Sequence, residues 1–135
     1  AYGTSSDSIS CIIENATGSN YDDVITGNSS ANTLKGGSGD DTISAGDGED
    51  TLNGGNGNDT ITGGAGNDIF QISSGTGSDF ITDYTSGEDR IELLDGITES
   101  DLTFGFIRGH TNISDGEGDL LAIVQNTIAD ELTFI

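Results

Sequence analysis

The chain has no proline, tryptophan or methionine, one cysteine, one histidine and only three basic residues among 135. Each scarcity excludes something. Cys11 has no partner for an internal disulfide and no sign of an activating neighbour, so it reads as a small, semi-buried apolar residue. One histidine and one cysteine, far apart, cannot build a zinc site. Neither H-E-x-x-H nor G-x-S-x-G occurs, and His110 reads as an exposed loop residue. The three cations face 24 acids, for a net charge of -21. Such a surface repels nucleic acid and anionic membranes, so neither is expected as a partner. No apolar run is long enough for membrane insertion. The opening AYGTSSDSIS lacks the basic start and apolar core of a signal peptide.

What the chain does have is glycine, 22 residues of it, and acid. That composition alone would suit disorder, but the order of the residues argues otherwise. Written in nines, the chain reads GSNYDDVIT (18–26), GNSSANTLK (27–35), GGSGDDTIS (36–44), AGDGEDTLN (45–53), GGNGNDTIT (54–62) and GGAGNDIFQ (63–71). After Ile72 and Ser73 comes SGTGSDFIT (74–82). The eighth place is always large and apolar: Ile25, Leu34, Ile43, Leu52, Ile61, Phe70, Ile81. The sixth is Asp23, Asn32, Asp41, Asp50, Asp59, Asp68 and Asp79.

A helix buries every third or fourth residue and a long strand alternates, so one apolar residue in nine suits neither. It suits a six-residue turn followed by a three-residue strand whose middle residue points inward. Two units make a coil of 18 residues, and coils stack at strand spacing, about 4.8 Å. Asp41 then lies over Asp59, and Asp50 over Asp68. Two carboxylates about 5 Å apart repel by about 1 kcal/mol in water and about 3 at an effective dielectric near 20. One buried side chain per unit is too little apolar burial to order the coil alone. A cation between coils removes the repulsion and satisfies the turn carbonyls. Many hard oxygens on a glycine cradle favour Ca2+ over Mg2+, which prefers a tighter, more hydrated octahedron.

The units resemble the nonapeptide G-G-x-G-x-D-x-U-x of the RTX calcium-binding repeat. The resemblance covers 18–82 strongly and extends weakly beyond, through ITDYTSGEDRIELL. It implies an all-β chain, a right-handed parallel β-roll with a C-terminal antiparallel β cap. It also implies several Ca2+ ions, each held by sixth-place aspartates of two stacked turns and by backbone carbonyls. For Asp41/Asp59 the implied carbonyls are those of Gly36, Gly37, Ser38, Gly39, Gly54, Gly55, Asn56 and Gly57. For Asp50/Asp68 they are those of Ala45, Gly46, Asp47, Gly48, Gly63, Gly64, Ala65 and Gly66. Asp23 pairs with Asp41, and Asp59 with Asp79, whose turn offers Gly75 and Gly77. Asp83 or Asp89 completes a terminal site. Asn32 stands where an aspartate belongs, so the Asn32/Asp50 site is expected to be weak or empty.

The chain is expected to be one domain. Residues 1–17, with CII at 11–13, form a strand covering the open N-terminal end. Residues 18–82 form the roll and 83–135 the cap. In the cap, RIELL (90–94), LTFGFI (102–107), HTNIS (110–114) and DLLAIVQ (119–125) read as strands, and 98–102 and 127–132 as helical turns. Phe104, Phe106, Leu121, Ile123 and Phe134 are expected in its core. The ending DELTFI resembles the tail of proteins exported by bacterial type I secretion, and reads equally as a final strand.

Repeat-spaced carboxylates point to metal rather than to acid–base catalysis. The resemblance implies a non-catalytic, secreted bacterial module that folds on extracellular Ca2+ and engages type I secretion machinery. The alternative is a calcium-dependent polysaccharide-binding module, with Tyr21 and Tyr84 as stacking platforms and Lys35, Arg90 and Arg108 as its only cations.

Overall fold

The computed structural model describes residues 8–10 and 14–135. The CII run at 11–13, with Cys11, lies outside them.

Ten short strands alternate between two sheets, two to a coil, and make about five coils. One sheet stacks β1 (Ser8–Ser10), β3 (Val24–Thr26), β5 (Thr42–Asp47), β7 (Thr60–Ala65) and β9 (Asp79–Ile81). The other stacks β2 (Asn15–Thr17), β4 (Thr33–Ser38), β6 (Thr51–Asn56), β8 (Ile69–Ile72) and β10 (Arg90–Leu93). All of these pairings are parallel, with Ile25 beside Ile43, Ile43 beside Ile61, and Leu34 beside Leu52. The expected all-β parallel β-roll is the fold observed.

The period of nine is what creates the core. Ile25, Leu34, Ile43, Leu52, Ile61, Phe70 and Ile81 are all at most 1% exposed. They form two columns, one per sheet, and each side chain rests on its counterpart in the next coil. Val124 continues the first column beside Ile81, and Ile91 continues the second beside Phe70.

Strands β4 to β7 are six residues long rather than three, running through the unit boundary into its third place. The cause is a second inward residue at the first place, fully buried Ala45 for example. Only a small residue fits there, because the turn folds back over it.

The end of the roll differs from expectation. Strand β10 belongs to the parallel roll, not to the antiparallel cap. Asp89, Ile91 and Glu92 repeat the sixth, eighth and ninth places of a further unit, in register with the coil below. The antiparallel elements are β11 (Thr103–Ile107), β12 (His110–Ser114) and β13 (Leu120–Val124). Strand β13 lies parallel to β9 and so grafts this hairpin onto the first sheet. The expected helical turns are 3-10 turns at Glu99–Asp101 and Ala129–Glu131.

Leu121 is buried at 4% exposure, whereas Phe104 and Phe106 are 40% and 60% exposed. The expectation of core positions fails for these two because β11 is the sheet's outermost strand, paired on one side only and exposed along its whole length. Phe134 packs partly, bridging to Ile91 and meeting Phe104 at a ring separation of 6.0 Å. His110 is not in a loop: it opens β12, where its Nδ1 accepts the Asn126 N–H at 3.1 Å.

Candidate metal centre

The sixth-place acids are buried in a row. Asp23, Asp41, Asp50, Asp59 and Asp68 are each 1% exposed, Asp89 is 2% and Asp79 8%. One oxygen of each inner carboxylate is spoken for. Asp41 Oδ1 accepts the Asp23 N–H at 2.8 Å, and Asp59 Oδ1 accepts the Asp41 N–H at 2.8 Å. On the other side of the roll, Asp50 Oδ1 accepts from Asn32 at 2.6 Å and Asp68 Oδ1 from Asp50 at 3.0 Å. Each bond joins one coil to the next, 18 residues away.

The other oxygen is different. Asp41, Asp50, Asp59 and Asp68 each keep Oδ2 buried with no hydrogen-bond partner. An unpartnered buried carboxylate oxygen is costly, and two such pairs, Asp41 with Asp59 and Asp50 with Asp68 on opposite sides of the roll, would be relieved by a partner of opposite charge. The first-place glycine marks where that partner fits. A Cβ on Gly36 would lie closer than 3.0 Å to both Asp41 Oδ2 and the carbonyl oxygen of Gly54, one coil on. Carboxylate and carbonyl oxygens thus converge on space that only glycine leaves open. Among the described residues no three His, Cys, Asp or Glu side chains converge on a common point. A cation held here would draw on two carboxylates at most and on backbone oxygens for the rest, a donor set that suits Ca2+.

The glycines at places two and four shape the cradle. Gly55 and Gly57 have φ of +107° and +130°, which an L side chain strongly disfavours. A Cβ on either would also strike a carbonyl of the coil below, that of Gly37 or Gly39. The turn backbones therefore stack carbonyl over glycine. The same relation joins Gly64 to Gly46, Gly66 to Gly48 and Gly77 to Gly57. Ser38 pairs in register with Asn56, and Asp47 with Ala65, which places the third-place carbonyls of successive turns together. Gly75 stands apart: its nearest contact is the Asn56 side chain, because the Ile72–Ser73 insertion displaces that turn.

Burial pushes the Asp41 carboxyl up to about 7, against the lowering effect of the Asp23 N–H; the Asp59 and Asp23 charges add to the rise. Asp68 rises to about 6 and Asp79 to about 8, in each case chiefly from burial. Asp50, Asp59 and Asp89 are raised for the same main reason. A bound divalent cation would reverse that direction by favouring the ionised form.

The ends of the row depart from the middle. Asp23 Oδ2 accepts from the backbone N–H and the hydroxyl of Ser19, at 2.6 and 2.9 Å. Asn32 Oδ1 accepts the Asn28 N–H at 2.9 Å. Asp89 takes the sixth-place rung above Asp68, accepting its N–H at 2.9 Å. Asp83 does something else: its two oxygens accept the N–H groups of Gly63 and Gly64, at 2.9 and 2.8 Å. Tyr84 is only 7% exposed, so it offers no platform to a sugar. Its hydroxyl donates to the Asp89 carbonyl and accepts from the Thr133 N–H. Tyr21 is 49% exposed.

A second ladder had no distinguishing signal in the sequence. Fifth-place side chains bond the other way along the stack: Asp22 accepts the Asp40 N–H, Asp40 the Asn58 N–H, and Asn58 the Ser78 N–H, at 2.9, 2.9 and 3.0 Å. These bonds are exposed, and they satisfy turn amides without metal. Beyond them a polar cavity of about 680 Å³ opens between the 74–78 turn and the loop before β13, lined in part by Asn56, Asn58, Asp115 and Asp119.

Residues 17–52 and 44–81 match the family model of the RTX calcium-binding nonapeptide repeat. A search of curated proteins finds no match. Among solved structures, the chain resembles the R3 subunit of the Azotobacter vinelandii mannuronan C5-epimerase AlgE6, with TM-score 0.67 and 25% identity over 86% of this chain and 78% of that one. It also resembles the R2 subunit of the same epimerase, with TM-score 0.65 and 27% identity over 87% and 91% of the two chains. The repeats of this chain are RTX calcium-binding nonapeptide repeats, wound into a parallel β-solenoid like those of the epimerase R-modules.

Proposed function

We propose that this is a non-catalytic module that binds several Ca2+ ions between its coils and folds when it does so. The file of buried, unpartnered Oδ2 atoms on Asp41, Asp50, Asp59 and Asp68 carries this reading. Asp41 and Asp59 hold one ion, with carbonyls drawn from the 36–39 and 54–57 turns. Asp50 and Asp68 hold another, with carbonyls from 45–48 and 63–66. The Asp23/Asp41 and Asp59/Asp79 pairs extend the row. Bound calcium supplies the positive charge that lets the stacked carboxylates stay ionised. The chain's own residues supply register, through the Oδ1 bonds, and close approach, through the glycines.

Because the carboxylates come together only when the coils stack, binding energy is folding energy. Extracellular calcium modules bind at roughly 10⁻⁴–10⁻³ M, far above cytosolic calcium. The module is then unfolded inside a bacterial cell and folded outside, which suits passage of a parent protein through type I secretion machinery. Calorimetric titration with Ca2+, and with Mg2+ for comparison, tests this. Half-saturation in that range supports the secreted reading. Half-saturation below micromolar Ca2+ overturns it, since the chain would then fold before export.

A second reading is favoured by the likeness to epimerase R-modules: a calcium-dependent polysaccharide-binding role. The cavity beside the 74–78 turn offers amides, hydroxyls and carboxylates to a glycan, and Tyr21 is exposed for stacking. Titration of mannuronan oligosaccharides into the calcium-loaded domain decides it. Absence of any heat or resonance shift at millimolar sugar removes this role.

A further inference from the structure

Strand β11 ends the eight-stranded sheet, and its five residues, Thr103–Ile107, are all exposed. A sheet edge is a row of backbone donors and acceptors, which proteins protect with charge, proline, a bulge or a covering segment. β11 has no charge and no proline, and its pairing with β12 runs without a register shift. The loop between them is two residues, Arg108 and Gly109, at φ +54° and +84°. In such a hairpin the closing residues, here Ile107 and His110, exchange both backbone bonds, and so does every second pair back along the ladder. Thr103 and Gly105 share that phase with Ile107. The N–H and C=O groups of Phe104 and Phe106 therefore point to the open edge.

The same two residues leave the core layer unfinished. Phe104 lies opposite Ile113 and Phe106 opposite Thr111, and both of those partners are buried. Thr111 in turn lies opposite buried Val124. This layer runs outward to β11 and stops there, with Phe104 40% and Phe106 60% exposed.

A second copy of the same strand completes both the ladder and the layer. The sequence TFGFI reads nearly alike in either direction about Gly105. Laid antiparallel with Gly105 facing Gly105, Phe104 of each copy meets Phe106 of the other. These are the residues whose backbone groups face outward, so each such pair can exchange two hydrogen bonds. Thr103 meets Ile107 on the opposite face. Beyond the strand, Arg108 of each copy comes level with the other's Glu99–Asp101 turn, where Glu99 and Asp101 are both exposed. Residues 102–114 carry no acid, so the faces that approach are free of the like-charge repulsion spread over the rest of the chain.

We propose that two copies of this chain pair edge to edge through β11, antiparallel about Gly105, and form a two-fold symmetric dimer with one sheet continuous across the axis. A five-residue strand makes a small interface, so the pairing is reversible and the dilute chain is monomeric. The proposal needs only the folded chain and stands apart from the calcium reading.

Sedimentation velocity of the calcium-saturated chain, from micromolar to millimolar, reads the association. A concentration-dependent shift from monomer to dimer is expected. Phe106→Ser should raise the dissociation constant about tenfold or more, since symmetry removes the ring twice. Arg108→Glu and Asp101→Lys should each weaken self-association, and mixing these two variants should restore it, because both ends of the mixed dimer then pair opposite charges. Register has its own test in a chain carrying Cys11→Ser. Facing residues of a non-hydrogen-bonded pair lie about 4.5 Å apart at Cα, within disulfide reach. A Cβ at Gly105 meets nothing closer than 3.8 Å, so Gly105→Cys fits and should cross-link to dimer on mild oxidation. Thr103→Cys, which faces Ile107 rather than itself, should not. If Phe106→Ser loses β signal, the cysteine pair decides. A chain that stays monomeric at millimolar concentration overturns the proposal. A dimer indifferent to Phe106→Ser, or one that Thr103→Cys cross-links as readily as Gly105→Cys, overturns it too, because the copies then meet elsewhere.

Discussion

Asp41 Oδ1 accepts the backbone N–H of Asp23 at 2.8 Å, one coil away, while Asp41 Oδ2 is buried with no partner. One side chain thus does two jobs. Its first oxygen fixes the register of the stack, and in the proposed calcium reading its second is the metal ligand. The two jobs separate on substitution. In Asp59→Asn the amide oxygen still accepts from the Asp41 N–H, so register survives while a charge is lost. Calcium affinity should fall about tenfold or more, about 1.4 kcal/mol, read by calorimetry, with the β signal recovered at higher Ca2+.

The converse change is Asn32→Asp. Asn32 sits 2% exposed below Asp50, where the row lacks one carboxylate. Supplying it should add calcium binding on that side of the roll and steepen the folding transition. Equilibrium dialysis reads the added ion.

Without metal, the acids favour the folded coil only while protonated. Asp41, Asp68 and Asp79 rise from 3.8 to about 7, 6 and 8. Between the unfolded value and these folded values the folded state binds more protons, so calcium-free stability falls as pH rises from about 4 towards 8. Calcium binding runs the other way, since it needs the carboxylates ionised, and should strengthen with pH across the same window. Urea denaturation in chelator and calorimetry with Ca2+, at pH 5 and pH 8, measure the two slopes.

Glycine position matters more than glycine content. Gly57→Ala puts a Cβ against the Gly39 carbonyl at φ +130° and should cost about 2 kcal/mol or more in saturating Ca2+. Gly87→Ala meets no atom within 4 Å, so it carries only the backbone penalty of φ +85°, about 1–2 kcal/mol. Urea midpoints rank the pair.

Burial separates the aromatics in the same way. Phe70, 1% exposed beneath Ile91, should cost about 3–5 kcal/mol as Phe70→Ala. Phe106, 60% exposed on the outer strand, should change stability by less than about 0.5 kcal/mol as Phe106→Ser.

The roll was legible because two columns repeat: apolar residues from Ile25 to Ile81 without a break, and acids from Asp23 to Asp79 with Asn32 as the one exception. A strict period needs only local comparison, and it fixes both register and burial. What escaped was whatever broke the phase. The 84–92 turn keeps glycine, aspartate and isoleucine at places four, six and eight, but Tyr84 and Thr85 replace the leading glycines and the inserted residues shift the count. Its spacing from Asp89 to Ile91 matches that from Asp68 to Phe70, and that was the signal available. Tyr84 looked like an outward platform because nothing local shows the C-terminal segment at Thr133 that bonds its hydroxyl. Phe104 and Phe106 looked like core because apolar residues alternate in β11; alternation says which faces a strand has, not whether anything packs on them. The split roles of Oδ1 and Oδ2 needed coordinates, since the sequence places an aspartate but not its two oxygens.

The central claim is that calcium builds this fold. Far-UV circular dichroism during a Ca2+ titration from chelator, with Mg2+ in parallel, tests it most directly. The account predicts a largely unfolded chain in chelator at neutral pH, and a cooperative gain of β signal with Ca2+ that Mg2+ does not reproduce. A chain with full β signal in chelator, unchanged by Ca2+, would contradict it.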